Sequence, residues 1–224
     1  MSLRKELGDG RGEAEVLEAL GRVARKHLPA SVALRYYEEA IARAAASGDV
    51  ARAARLHNSA GITEWTRANH TGALARFESA LRLFQSLGDS AGCGQMMNSI
   101  GVALSALGRR AEARRQLLHA IDHHRRRAHR QLEGYALAAL GDICWDDGQP
   151  DQALDWYEQS LRLRVEIGDG RGEGWMLQRL ARLHAAKGER EDADDLLRRA
   201  ADLSAHWSDE ELMEACEQVR ARTE

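Results

Sequence analysis

The sequence has few of the residues that break helices or cross-link small folds. Two prolines occur in 224 residues, and aromatic residues make up only 5%. Set against abundant Ala, Leu, Arg and Glu, that scarcity predicts an all-helical protein. Cys93, Cys144 and Cys216 are odd in number and widely spaced, which fits reduced thiols in a cytoplasmic protein rather than a disulfide framework. No apolar run approaches the roughly 18 residues a membrane span needs. The N-terminus shows no apolar stretch of the kind a secretory signal carries. A net charge of −3 gives no general attraction to nucleic acid or to an anionic membrane.

What is present is a period. Gly168-Asp169-Gly170-Arg171-Gly172-Glu173 nearly repeats Gly8-Asp9-Gly10-Arg11-Gly12-Glu13, and Gly48-Asp49 and Gly88-Asp89 carry the same first pair. Positions 8, 48, 88 and 168 are separated by 40 or a multiple of it, and the missing member falls at Ala128-His129. A fixed period of this size marks a repeat architecture. Each unit reads as two helices. Glycine suits the left-handed end of one helix, and the following aspartate caps the next. A second turn shows Gly108, Gly148 and Gly188, and both prolines, Pro29 and Pro150, fall in such turns.

The expected core keeps the same period. Gly21, Gly61, Gly101 and Gly141, with Ala181, allow close helix approach. Ala33, Ala73, Ala113, Ala153 and Ala193 precede Tyr37, Phe77, Leu117, Tyr157 and Leu197, and Ala40, Ala80, Ala120, Ser160 and Ala200 follow. Spacings of four and three hold this small–large–small pattern on one helical face. The pattern resembles the tetratricopeptide repeat, in which Leu-Gly is followed by Ala, an aromatic and Ala. Leu20-Gly21, Ala60-Gly61, Ile100-Gly101, Leu140-Gly141 and Leu180-Ala181 carry the first part of the resemblance. The period is 40 rather than about 34, and the usual closing proline gives way to the Gly-Asp turn. In both respects the chain resembles the long-repeat subgroup found in kinesin light chains, LGN/Pins adaptors and bacterial signal-transducing ATPase regulators. The resemblance implies an all-α fold, an α-solenoid of tandem helix-turn-helix repeats forming a right-handed superhelix. The expected division of this single domain is the end of a partial repeat at 1–8, repeats at 9–48, 49–88, 89–128, 129–168 and 169–208, and a capping helix at 209–224. In that last helix Leu212, Cys216 and Val219 form one stripe.

The resemblance also implies a groove, lined by the first helix of each unit, that holds a partner peptide. Positions six and three before the repeat glycine and one and four after it share a face. The candidates on it are Arg22, Arg25, Arg55, Asn58, Trp65, Asn98, Tyr135, Asp142, Trp145, Trp175, Gln178 and Arg182. Aromatics and arginine are the residues that interface hot spots favour. Asn58 and Asn98 are equivalent, and a side-chain amide can both donate to and accept from a peptide backbone; the alternative is that these amides bond across helices inside the solenoid. The expectation is a non-enzymatic scaffold without a cofactor. Trp65, Trp145 and Trp175 would anchor a peptide or helical segment of another protein, amides would hold its backbone, and arginines would select acidic groups. The alternative is a regulatory, sensor or oligomerisation module of a larger signalling or transcription-regulating protein, with a homo-oligomer left open. Direct contact with nucleic acid or membrane is not expected.

Other features read as structural. His119 and His123 have a metal-chelating i, i+4 spacing, but no third ligand is evident, and the basic run through Arg130 suits a solvated helix end. The same run replaces the Gly-Asp turn, which leaves a looser joint or a longer helix as the expectation there. Cys144 is expected as a buried thiol. The Gly-Asp-x-x-Gly strings lack the preceding strand and the Gly-Lys-Ser/Thr of a phosphate loop.

Overall fold

A computed structural model describes residues 10–221. The partial repeat expected at 1–8, and Arg222 at the expected end of the last helix, lie outside those residues. The described residues form eleven helices: α1 (Gly10–His27), α2 (Ala30–Ala46), α3 (Val50–Thr66), α4 (His70–Leu87), α5 (Ser90–Ala106), α6 (Arg110–Arg127), α7 (Arg130–Asp146), α8 (Pro150–Glu166), α9 (Gly170–Lys187), α10 (Arg190–Trp207) and α11 (Glu210–Arg220). The links between them are too short for anything but a reversal of direction, so neighbours in sequence pack antiparallel.

The turns form as the local chemistry dictates. Gly48, Gly88 and Gly168 take left-handed backbone with φ of +67°, +66° and +70°. The next residue's N–H closes the turn, as from Asp49 to the carbonyl of Ala44 at 2.9 Å. The side chains of Asp49, Asp89 and Asp169 then accept from the N–H of Arg52, Gly92 and Gly172 at 3.0, 2.9 and 3.0 Å. The basic run does not lengthen its helix. α6 stops at Arg127, and Ala128 adopts the same left-handed turn at φ +55° without a glycine. His129 stands at the cap position and makes no side-chain capping bond. The turn is closed by its backbone, with the His129 N–H donating to the carbonyl of His124 at 3.0 Å.

The described residues divide into two compact bodies, one up to residue 116 and one from residue 117. In the first, α1 packs on α2, α2 on α3, α3 on α4 and α4 on α5. Its core joins Leu17, Leu34, Tyr37, Leu56 and a set of buried alanines. In the second, α7 packs on α8, α8 on α9, α9 on α10, and α11 covers both α9 and α10. Leu212, Cys216 and Val219 of α11 close the end against Leu177, Ala181, Leu197 and Ala200. Cys93, Cys144 and Cys216 are all free and buried. No described helix is long and apolar enough to cross a membrane.

Three of the repeat glycines, Gly21, Gly61 and Gly141, are explained by close approach. A Cβ on Gly21 or Gly61 would lie 2.6 Å from a ring carbon of Tyr37 or Phe77, and one on Gly141 would run into the Tyr157 ring. Opposite the smaller Leu197 the position holds Ala181 instead, and both are fully buried.

Candidate functional site

The series picked from sequence lies on the first helix of each pair, α1, α3, α5, α7 and α9. In the first body Arg22, Arg25 and Arg55 are exposed. Trp65, four residues beyond Gly61, is half-buried, and its ring packs on His70 of α4 with centroids 4.6 Å apart. Asn58 is half-buried, with its side-chain oxygen shielded from solvent and without a hydrogen-bond partner. Asn98 is buried. The two equivalent amides therefore sit at different depths.

In the second body the candidates are drawn into contact with one another. Asp142 accepts from the Tyr157 hydroxyl at 2.8 Å and from Nε and a terminal nitrogen of Arg179 at 2.8 and 3.2 Å. Burial first, and then the Asp142 carboxylate, push the Tyr157 hydroxyl well above its ordinary range, so it stays a proton donor. Arg179 also lies over the Trp175 ring, 5.8 Å from its centroid. Arg182 lies over Trp145 at 4.7 Å, and Arg164 over Tyr135 at 4.6 Å. Trp145 and Trp175 are half-buried, while Tyr135 keeps 49% of its surface exposed. Gln178 is nearly buried, and its amide donates to the carbonyl of Ala215 in α11 at 3.4 Å.

Sequence reasoning missed Arg179 and Arg164. Arg179 stands two residues before Ala181, off the chosen series. Its signal was that the equivalent positions are Ala19, Ser59, Ser99 and Ala139, so a large cation there breaks a run of small residues. Arg164 occupies a position buried in every unit, as Ala44, Phe84, His124, Arg164 and Ser204. It reaches Asp169 at 2.5 Å and the Ser160 hydroxyl at 3.2 Å.

His119 is exposed and His123 half-buried. His123, His124 and His129 bring their ring centroids within 5.8–6.1 Å of one another. Burial, followed by the neighbouring His123 and His129, lowers His124 to about 4, so it is neutral at neutral pH. Among the described residues, one trio places three potential metal-ligand atoms within 4.8 Å of each other: His184, Glu189 and Asp192. In that trio His184 Nδ1 already lies 2.6 Å from Glu189.

A family profile described as tetratricopeptide repeat matches residues 49–126 and 127–205. No curated protein sequence matches the chain. Among solved structures it is similar to aspartyl phosphate phosphatase F from Bacillus subtilis, with a TM-score of 0.88 and 12% identity over 98% of this chain and 58% of that one. It is also similar to a plasmid's Rap conjugation gene regulator in complex with a Phr peptide, at a TM-score of 0.77 and 16% identity over 95% and 59%. A putative kinesin light chain from Podosopora anserina, with nearly identical TPR-like repeats, gives 0.64 and 15% over 87% and 96%. At these identities the likeness is one of fold. The chain spans under three-fifths of the length of the first two structures.

Proposed function

The chain belongs to the tetratricopeptide repeat family, and from that premise we propose that it binds a peptide or helical segment of another protein along the first-helix face of its repeats. The observation that carries the reading is the state of the tryptophans. Trp65 of the first body and Trp145 and Trp175 of the second each lie on the first helix of a pair and are each half-buried, held by neighbours yet partly open to solvent. A ring fixed in place loses little freedom when a partner covers it, which is the usual character of a hot spot. Tyr135, Asn58 and Asn98 extend the same series, and Gln178 would act through its contact with α11. The proposed role is binding without a reaction of its own, with no cofactor, and with a polypeptide rather than nucleic acid or lipid as partner.

The test uses synthetic random decapeptide libraries, with retained peptides identified by mass spectrometry. Trp65→Ala and Trp145→Ala should each lower the affinity of peptides selected on the wild-type protein about tenfold or more, the scale of a hot-spot truncation. Unchanged affinity in both variants, with helical content intact by circular dichroism, would overturn the reading.

A second reading has one observation in its favour. The Rap structures that share the fold are longer than this chain, so the repeats would serve as the sensing or self-associating module of a larger signalling protein. Light scattering decides part of this. A dimer whose formation blocks peptide retention favours the module, and a monomer that retains peptide favours the scaffold.

A further inference from the structure

The turn between α9 and α10 departs from the other turns of the chain in three ways. First, α3, α5, α9 and α11 are each capped by an aspartate whose side chain accepts from an N–H of the first turn, at 3.0, 2.9, 3.0 and 3.2 Å. Glu189, at the same place before α10, makes no capping bond. Its longer side chain turns back to His184 Nδ1 at 2.6 Å. Second, His184 stands where other units carry Ala24, Leu104 and Cys144, all buried, so an imidazole opens at a core position. Third, Asp192 comes to the same point, and one donor atom from each of the three residues lies within 4.8 Å of the other two.

The backbone fixes this meeting. Gly188 takes left-handed φ of +83°, and the Glu189 N–H donates to the His184 carbonyl at 3.0 Å, which sets Glu189 beside His184. Asp192 follows one helical turn later. Acids in the first turn of a helix suit its dipole, which accounts for Glu189 and Asp192 in sequence. It accounts neither for the imidazole between them nor for the missing cap. The charges are also left over. Asp142, Asp169 and Asp209 each hold an arginine. Among the described residues no arginine or lysine nitrogen lies within 4.0 Å of the Glu189 or Asp192 carboxylate. Lys187, the nearest cation in sequence on the helix side, is committed to Asp151 at 2.7 Å.

We propose that His184, Glu189 and Asp192 form a zinc site, with its remaining position open to water. One imidazole nitrogen and two carboxylate oxygens suit zinc, whereas calcium and magnesium favour oxygen alone. Zinc bonds of about 2.0–2.2 Å at tetrahedral angles set neighbouring donors roughly 3.3 Å apart. The His184–Glu189 contact at 2.6 Å and the 4.8 Å span of the trio bracket that spacing. Glu189 and Asp192 are exposed, so their carboxylates can rotate to meet the ion without repacking. The ion ties the end of α9 to the start of α10, and no reaction is assigned to it. The site is independent of what the first-helix face binds.

Isothermal titration of zinc chloride into the chelator-treated full chain provides the test. Saturation at one zinc per chain is expected, with thermal unfolding moved upward by zinc. His184→Ala and Asp192→Asn should each weaken zinc binding about tenfold or more and remove the thermal shift. His123→Ala and His129→Ala, in the other group of histidines, should leave both unchanged. Excess magnesium should not displace the zinc. Circular dichroism confirms the fold of each variant, and should His184→Ala not fold, Asp192→Asn on the exposed start of α10 carries the test. Absence of saturable zinc binding overturns the proposal. So does binding that survives in the folded His184 and Asp192 variants, or that is lost in the His123 and His129 variants instead.

Discussion

The two bodies repeat one architecture and furnish its first-helix face differently. The clearest contrast is at positions exactly three repeats apart, where Arg22 corresponds to Asp142 and Tyr37 to Tyr157. Tyr157 donates to Asp142, which also holds Arg179. Tyr37 is equally buried, but among the described residues no carboxylate accepts from its hydroxyl, and the group beside it is the guanidinium of Arg25. Arg22, Arg25 and Arg55 remain exposed in the first body. In the second, Arg164, Arg179 and Arg182 each lie on an aromatic ring. The acid at position 142 and the arginine at 179, where the other units carry Ala or Ser, together separate an open basic face from a pre-assembled one. Pre-assembly matters because groups already ordered lose less freedom on binding.

The largest expected effect tests whether the pre-assembled body is also the stiffer one. Gly141→Ala and Gly61→Ala both push a methyl group into an aromatic ring. Overpacking of this kind costs about 1–3 kcal/mol. The loss should be greater at Gly141, because Tyr157 is pinned by Asp142 whereas Phe77 has no polar anchor to keep it from shifting. Tyr157→Leu in the Gly141→Ala background should recover part of the loss, copying the natural Ala181–Leu197 pair. Urea denaturation followed by circular dichroism measures both, and equal losses at the two glycines would remove the contrast.

Next in size is the acid itself. Asp142→Ala leaves Tyr157 and Arg179 without their shared acceptor and should cost about 2 kcal/mol. Arg22→Ala, at the equivalent exposed site, should stay within about 0.5 kcal/mol. The same denaturation curves decide it, and similar values for the two would mean that the cluster contributes nothing beyond its packing.

The smallest effect is a pH dependence. His124 is held near 4 in the folded chain, against about 6.5 when unfolded. As pH falls below the unfolded value, the unfolded chain takes a proton that the native state refuses. Stability should therefore drop by on the order of 1 kcal/mol between about pH 7.5 and 5.5, and this contribution should level off once the folded group also titrates. His124→Leu should flatten that part of the profile relative to the wild type. In the first body His57 is displaced in the same direction by burial, so a profile unchanged by His124→Leu would move the acid sensitivity there.

The fold was legible because its signals are local. A glycine that needs left-handed backbone and an aspartate that caps the next turn act within six residues, and the 40-residue period multiplies them. Where the signal was missing, at Ala128-His129, the sequence suggested a changed joint, yet the backbone takes the same left-handed turn, closed by the His129 N–H on the carbonyl of His124 at 3.0 Å. The face was partly legible too. Asp142, Trp145 and Arg182 stood out by residue type and spacing. Their partners did not, because Asp142 and Arg179 are 37 residues apart and meet only when two first helices stack. Arg164 was hidden for another reason. A position buried in every unit reads as core, and the acid that neutralises it is itself a helix cap.

By itself the sequence determined the helices, the turns that carry glycine and the register in which they repeat, since those depend on backbone preferences and on the alternation of small and large side chains within one unit. Only the tertiary structure decided which arginine is spent on which acid. Opposite charges choose partners by distance across helices, and a guanidinium carried on a long side chain has several within reach until the packing removes all but one. For Arg182 it left none within 4.0 Å among the described residues, only the ring of Trp145.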